Sequence, residues 1–196
     1  MRHFIYFSST AQTSGKALSG KNVDLMKAGR IDIAIHTIIN SFFVSNKLRD
    51  NVVLHLIFYG MPDPPKHIEL RVSPETELSK KDMGNLLKKI LYKHKDGKKV
   101  EVVPGCFIEK KSFLDVVEEL RKESKEIFIL DEKGNNLRDV EISGDSVFII
   151  GDHDGLPKKE LKRLKKTAKL VSVGPETYFA SQTITILNNE LDLRGL

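Results

Sequence analysis

The stretch that decides the fold is Phe148-Ile-Ile-Gly-Asp-His-Asp-Gly-Leu-Pro157, followed later by Leu170-Val-Ser-Val-Gly-Pro-Glu-Thr-Tyr178. In each, an apolar run typical of a buried strand ends at a glycine, Gly151 or Gly174. Open α/β sheets bind ligands at the carboxyl ends of their strands, where glycine lets backbone amides approach closely. The two stretches therefore predict a ligand site built from loops in the last third of the chain.

The rest of the chain alternates between strand-like and helix-like patterns. Strands are expected at residues 3–7, 52–59, 67–72, 100–103, 126–130, 146–150 and 168–173. Helices are expected at residues 32–44, 79–94, from 112 onward, 157–166 and 177–189. Strands that alternate with helices of this length favour an α/β fold with a mainly parallel sheet and flanking helices. With 40% hydrophobic residues, the 196-residue chain is expected to form one domain over residues 1–196.

Three segments between these elements are expected to be irregular. Ser8 to Asn22 is polar and reads as a long loop, which in compact domains is usually functional or disordered. Residues 60–65 contain three prolines, and residues 131–136 read as a turn.

Ser79 is expected to cap the helix that follows it, with Asp82 in the first turn.

The charge of the chain is +5, from 32 Lys and Arg against 27 Asp and Glu. The basic residues cluster in two segments: Lys88, Lys89, Lys93, His94, Lys95, Lys98 and Lys99 in the first, and Lys158, Lys159, Lys162, Arg163, Lys165 and Lys166 in the second. Clusters favour nucleic acid more than the total charge does, and a solvated helix face is the alternative. The more specific interpretation is an anionic partner, of which nucleic acid is the commonest.

Cysteine usage and hydropathy indicate the compartment. Cys106 is the only cysteine, which excludes an internal disulfide and fits a reducing environment. No run of about 18 apolar residues is present, so no membrane span is expected. We expect a cytoplasmic protein, in which Cys106 is a small buried residue and not a nucleophile.

Motifs for common cofactors are missing. The dinucleotide fingerprint and the phosphate-binding loop are both absent, which disfavours a pyrophosphate cofactor or a nucleoside triphosphate. Two interpretations of the glycine-bearing loops stay open. They bind a ligand that has an adenosine part but no phosphate, or they are ordinary βα turns. Asp152-His153-Asp154 suggests a metal, but adjacent residues on a turn rarely converge on one ion, so no metal is expected.

Charged residues flank the start of the first helix. Asp24, Arg30 and Asp32 lie in the segment Lys21-Asn-Val-Asp-Leu-Met-Lys-Ala-Gly-Arg-Ile-Asp32. Asp32 can simply cap the helix, a contribution of about 0.5–2 kcal/mol. The alternative is a site for an anionic or hydrogen-bonding substrate, in which Arg30 offers its planar guanidinium.

These residues resemble those of a known family. The Asp24…Gly29-Arg30-Ile31-Asp32 segment, the stretch from Phe148, and the segment from Val173 to Asp192 together resemble the SPOUT class of RNA methyltransferases. Within that class the chain is similar, over its whole length, to the archaeal tRNA pseudouridine-54 N1-methyltransferase family. The resemblance implies a deep trefoil knot at the C-terminus, with the donor-binding part at about residues 125–196.

The resemblance also implies the ligands and the site. S-adenosylmethionine would sit in the knot, and its binding residues would be Leu130, Gly151, Val171, Ser172, Val173, Gly174, Tyr178 and Thr183. The last helix of the family often carries Ser-His-Cys-Ile where this chain has Ser181-Gln-Thr-Ile184, so a cysteine-specific role is in doubt. The class is usually homodimeric, which makes Tyr178, Ile184, Ile186 and Leu187 the interface candidates.

The implied reaction is methylation of N1 of pseudouridine at position 54 in the tRNA T-loop. Arg30 and Asp32 would bind or orient the target base, and Asp24 or Asp32 would accept the N1 proton. The lysine clusters would hold tRNA phosphates. Two rivals stay open: the target is a ribosomal RNA pseudouridine or a ribose 2′-hydroxyl, or the chain is a non-catalytic RNA-binding module.

Overall fold

The computed structural model describes residues 1–20, 23–72, 78–123 and 125–196. Within them, one sheet has eight strands: β1 (Arg2–Ser8), β2 (Val52–Phe58), β3 (Lys66–Arg71), β4 (Val100–Val103), β5 (Cys106–Glu109), β6 (Glu126–Asn136), β7 (Ser146–Ile150) and β8 (Lys169–Ser172). The helices are α1 (Ile31–Phe42), α2 (Met83–Tyr92), α3 (Phe113–Lys122), α4 (Lys158–Leu164) and α5 (Ala180–Leu193).

The sheet is mixed, in the order β4-β5-β3-β2-β1-β7-β6-β8. The strands from β2 to β8 in this order are parallel, whereas β3, β5 and β4 form an antiparallel extension beside β2. The prediction of parallel pairing holds for the five strands on the β8 side. Because those strands run in one direction, the loops after β1, β6, β7 and β8 meet at one edge of the sheet.

The core lies on both faces of the sheet because β1 is apolar over most of its length and buried throughout. Alternate side chains of a strand point to opposite faces. Phe4 and Tyr6 therefore pack in the cluster formed with α1, α2 and α5, whereas Ile5 and Phe7 pack in the cluster formed with α3 and α4. This two-sided burial explains why β1 and β2 read as continuous apolar runs and not as alternating ones.

Strand β6 is longer than the sequence predicts. Residues 131–136, expected to be a turn, continue the strand, and after a register shift Asn135 and Asn136 pair with Val171 and Ser172. Their polarity suggested a turn, but backbone pairing with β8 does not require apolar side chains. Gly134 permits this approach, since a Cβ there would lie 2.5 Å from the backbone nitrogen of Val171.

Several boundaries also differ from the prediction. β5 was missed because it follows β4 after only two residues, and the last helix begins at Ala180, three residues later than expected. Ser79 precedes a short 3-10 turn at Lys80–Asp82, and its side chain makes no capping hydrogen bond with a described residue, contrary to the prediction. Ser112 does cap α3, because its side chain accepts the Asp115 N–H. The loop from Ser8 contains a 3-10 turn at Gly15–Leu18, and its residues 21 and 22 lie outside the described residues.

No helix in the described part of the chain combines the length and the apolarity that a membrane crossing requires.

Candidate active site

A cleft of about 310 Å³ opens at the carboxyl ends of β7 and β8, beside the middle of β6. Its walls include every residue that the resemblance assigned to the donor: Leu130, Gly151, Val171, Ser172, Val173, Gly174, Tyr178 and Thr183. Four separate segments of sequence, the middle of β6, the ends of β7 and β8 and the start of α5, are thus brought together. Thr183, which stands where the family often has cysteine, faces this cleft, while Cys106 is buried in β5.

Close backbone packing shapes the cleft at Gly151. A Cβ on Gly151 would lie 2.7 Å from the carbonyl carbon of Gly155, closer than real Cβ atoms come to backbone. Gly155 has φ +76°, a left-handed conformation that favours glycine, and it pairs with Asp152 across the turn. The turn between β7 and α4 is therefore folded tightly enough that a larger residue at Gly151 would push it open.

The cleft wall is acidic. Asp131, Glu132, Asp152 and Glu176 line it, and no lysine, arginine or histidine of the described residues does. Asp131 is neutralised by Lys165 at 2.7 Å, and this hydrogen bond lowers the pKa of the carboxyl group. The other three carboxylates make no ion pair with any described residue. Such a wall attracts a ligand that carries positive charge, and it repels phosphate groups.

Arg30 and Asp32 form a pair at the start of α1. Arg30 has a left-handed backbone (φ 60°) and donates from Nε and Nη2 to the two oxygens of Asp32, each at 3.0 Å. The hydrogen bond from Arg30 lowers the pKa of Asp32. A carboxylate with a lowered pKa is a weak base, so the pair is better suited to hold a substrate group than to remove a proton.

Asp24 lies apart from that pair. Its carboxylate accepts the N–H groups of Met26 (3.1 Å) and Lys27 (3.3 Å), which stabilises the turn that leads to Arg30. Among the contacts of the described residues, none joins the Asp24 side chain to Arg30 or Asp32. The structure therefore brings together two of the three predicted catalytic residues and gives Asp24 a local capping role.

A connection between the cleft and the Arg30–Asp32 pair was missed from the sequence. Asp152, on the cleft wall, accepts the Ser9 N–H at 2.8 Å and the Ser9 hydroxyl at 3.1 Å. Tyr6 lies buried nearby, and its burial, followed by the Asp152 charge, raises the pKa of its hydroxyl. The only sequence signal was the position of Asp152 directly after Gly151, which was interpreted as a possible metal ligand.

Two of the residues predicted to form a dimer interface, Ile184 and Leu187, are not at the surface. Both are fully buried within the chain's own core, because α5 packs against α1. They therefore have no surface to offer a partner. Of the predicted candidates, Tyr178 is 36% exposed at the start of this helix, and its neighbour Phe179, which was not predicted, is 65% exposed.

The fold and the site place the protein among α/β proteins that hold a ligand at the carboxyl ends of parallel strands. A family model described as "Putative SAM-dependent RNA methyltransferase" matches residues 1–196, and the chain belongs to this family. The match confirms the resemblance seen in the sequence. It also confirms S-adenosylmethionine as the cofactor and RNA methyl transfer as the activity of the class.

Relatives and a solved structure agree with this assignment. A Photobacterium profundum protein, named "Putative pseudouridine methyltransferase", is 32% identical over 98% of this chain and 99% of its own length. The tRNA (pseudouridine(54)-N(1))-methyltransferase of Pyrococcus abyssi is 31% identical over 100% of both chains. Among solved structures, Archaeoglobus fulgidus Nep1 bound to S-adenosylhomocysteine shares the fold, with a TM-score of 0.59, 16% identity and 98% coverage of each chain.

Proposed function

We propose that this protein methylates N1 of pseudouridine at position 54 of tRNA, with S-adenosylmethionine as donor. The observation that carries the proposal is the cleft that gathers all eight expected donor residues in one wall. Full-length similarity to enzymes named for that reaction, from Pyrococcus abyssi and Thermococcus kodakarensis among others, supports the choice of target.

The residues of the cleft fit the donor. Its sulfonium and ammonium groups are cationic, and Glu132 and Glu176 provide unpaired negative charge in the wall, whereas the carboxylate of Asp152 is occupied by hydrogen bonds from Ser9 and Asp154. Gly151 contributes only backbone to the wall, and the absence of a phosphate-binding loop suits a nucleoside without phosphates. When bound, the donor supplies an electrophilic methyl group.

The chain's own residues position the acceptor. Asp32 offers carboxylate oxygens to an N–H of the base, and Arg30 fixes the orientation of that carboxylate through two hydrogen bonds. The base has to be turned out of the T-loop to reach them. Holding both reactants in reacting geometry accounts for about 7–11 kcal/mol of barrier lowering in favourable cases. Because Asp32 is a weak base, we assign the N1 proton to solvent, with Asp32 as its hydrogen-bond acceptor.

The RNA-binding surface is proposed to include α4. Leu156 and Leu161 line the cleft, so this helix stands at its rim, and its lysines point outward into solvent. Lys158, Lys159 and Lys162 carry no ion pair with a described residue and are free to contact phosphates. Basic residues beside an acidic cleft would separate the two substrates by charge, with RNA at the rim and the donor inside.

The finer features of the class are also proposed here. The last third of the chain, about residues 125–196, is proposed to form the trefoil knot, consistent with the fold shared with Nep1. The protein is proposed to act in the cytoplasm as a homodimer. Exposed Phe179 and Tyr178, next to the cleft, support an interface at the start of α5.

The test is nucleoside mass spectrometry of tRNA incubated with the protein and labelled donor. Labelled N1-methylpseudouridine at position 54, absent when that pseudouridine is replaced by uridine, supports the proposal. Label in ribosomal RNA or on a ribose supports the rival substrates. Calorimetry with S-adenosylhomocysteine tests the non-catalytic alternative, which predicts no binding heat.

A further inference from the structure

We infer that Asp152 is a positioning residue, which fastens the donor cleft to the loop that supports Arg30 and Asp32. This inference rests on the proposed function, since it concerns the alignment of the two substrates of that reaction. It assigns to Asp152 no contact with either substrate. Its basis is a continuous path of short contacts between two sites that lie on different strand-end loops.

The first step of the path is the carboxylate itself. One oxygen of Asp152 accepts both the N–H and the hydroxyl of Ser9, at 2.8 and 3.1 Å, and the other accepts the Asp154 N–H at 3.0 Å. The two loops can meet here because β1 and β7 are parallel neighbours, with Tyr6 opposite Ile150. Asp152 therefore joins the end of β1 to the turn after β7.

The second step leads from Ser9 to the turn before Arg30. Thr10 donates its hydroxyl to the Gly29 carbonyl at 3.3 Å, and the Gln12 N–H donates to the Ala28 carbonyl at 3.2 Å. The packing is so close that a Cβ on Gly29 would lie 1.8 Å from the Thr10 carbonyl oxygen. A shift of the Ser9–Gln12 segment therefore has to move Gly29, and with it Arg30.

The charge of Asp152 points to the same role. The carboxylate has no cationic partner among the described residues, and its hydrogen bonds come from backbone amides and one hydroxyl. Only a carboxylate can accept on both oxygens. An Asp152→Asn side chain has a single acceptor oxygen, so it loses either the hydrogen bonds from Ser9 or the hydrogen bond from the Asp154 N–H that fixes the side chain on its own turn. In the second case the NH2 group faces the Asp154 N–H and is repelled by it, so the side chain shifts, and in both cases the link between the two loops is weakened.

Breaking one arm loosens the alignment of the two sites without removing a group that binds either substrate. Misplacement of reacting groups by about 1 Å costs about 100-fold in rate. The expected signature is therefore a decrease in kcat, while the affinity for the donor product and the KM for tRNA stay near the wild-type values.

The test compares Asp152→Asn with Asp154→Asn as the matched control. Asp154 lies on the same turn and its change removes the same charge, but it is exposed and its side chain contacts Ser9 only at the hydroxyl, at 3.3 Å. We expect kcat to fall by about 10-fold or more in Asp152→Asn and by less than about 2-fold in Asp154→Asn. Calorimetry with S-adenosylhomocysteine should give dissociation constants within about 3-fold for both. Ser9→Ala, which removes one hydrogen bond of the same arm, should lower kcat by about 2- to 5-fold.

A double-mutant cycle distinguishes this role from a general structural one. If Asp152 acts through Arg30, then Asp152→Asn should change the rate by less than about 2-fold when Arg30 is already alanine. Equal effects in both backgrounds would overturn the inference, as would a large decrease in S-adenosylhomocysteine affinity in Asp152→Asn alone. A wild-type protein that binds no donor and methylates no RNA would instead refute the proposed function itself.

Discussion

Arg30 donates two parallel hydrogen bonds of 3.0 Å to the carboxylate of Asp32, although only one residue separates them in the chain. The left-handed backbone of Arg30 makes this possible, because it turns the side chain back over the first turn of α1. Such a conformation is uncommon outside glycine and is often found at functional sites. The turn before α1 therefore fixes the orientation of both side chains before any substrate binds.

Replacing Arg30 by lysine should slow methyl transfer while sparing donor binding. Lysine keeps the charge but lacks the planar, two-pronged geometry that orients the Asp32 carboxylate. We expect the single-turnover rate on tRNA to fall by about 100-fold and the dissociation constant of S-adenosylhomocysteine to stay within about 2-fold. Lys27→Ala, an exposed change in the same turn, serves as the control. An undiminished rate in Arg30→Lys would remove the pair from the site.

Replacing Gly151 by alanine should damage the donor cleft specifically. The added Cβ would meet the Gly155 backbone at 2.7 Å, so the turn after β7 has to open. We expect calorimetry to show at least about 10-fold weaker binding of S-adenosylhomocysteine, with little change in far-UV circular dichroism. Gly84→Ala, in α2, is the matched control, because its Cβ would make an ordinary 3.7 Å contact with the Ile35 side chain of α1. Equal donor affinity in both variants would contradict the cleft assignment.

The position of the donor cleft was predictable from two short local patterns, whereas its individual donor residues came from the resemblance to the family. An apolar strand that ends in glycine, as at Ile150-Gly151, marks a strand end on its own, and parallel strands bring such ends together. The position of β5 and the extension of β6 were not predictable in the same way. Backbone pairing between Asn135 and Val171 depends on partners distant in sequence, which side-chain periodicity does not record.

The Asp152–Ser9 contact shows the same limit for the site. The two residues are 143 positions apart, and nothing in either local sequence specifies the other. The same holds for Ile184 and Leu187, whose apolar spacing fits either a core face or a partner surface. Only the packing of α5 on α1 decides between these alternatives.

The stability of the protein should decrease in mild acid because of a buried row of histidines. His3 contacts His55 at 3.1 Å, His55 contacts His67 at 3.0 Å, and His67 contacts Glu109 at 3.0 Å. Burial is the main cause that lowers the pKa of His3 from 6.5 to about 4. Between these values the unfolded chain binds the proton and the folded chain does not, so the free energy of unfolding falls as the pH falls, by about 3 kcal/mol.

Urea unfolding above, within and below that pH window measures this slope. His3→Asn should have a shallower slope, though not a flat one, because burial also lowers the pKa of His55. His36→Asn, on the exposed side of α1, should keep the wild-type slope. A wild-type slope in His3→Asn would show that the acid sensitivity arises elsewhere.

The lysines of α4 should govern RNA affinity and its dependence on salt. A variant with alanine at Lys158, Lys159 and Lys162 removes three exposed charges from the rim of the donor cleft. Removing one lysine–phosphate interaction lowers the slope of log K against log salt by about 0.7–0.9, so the slope should decrease by up to about 3. The KM for tRNA should rise, whereas S-adenosylhomocysteine binding should not change, because these side chains lie outside the cleft wall.

A second triple variant, with alanine at Lys89, Lys93 and Lys95, is the matched control. These lysines are also basic and at the surface, but they lie on or just after α2, which packs beside β5 near the opposite edge of the sheet from β8. Equal decreases in RNA affinity in both variants would show that the two basic clusters contribute alike and would contradict a special role of α4. A decrease confined to the α2 variant would place the RNA on that side, away from the donor, and would then require that the acceptor base reach Arg30 from the β4 edge of the sheet.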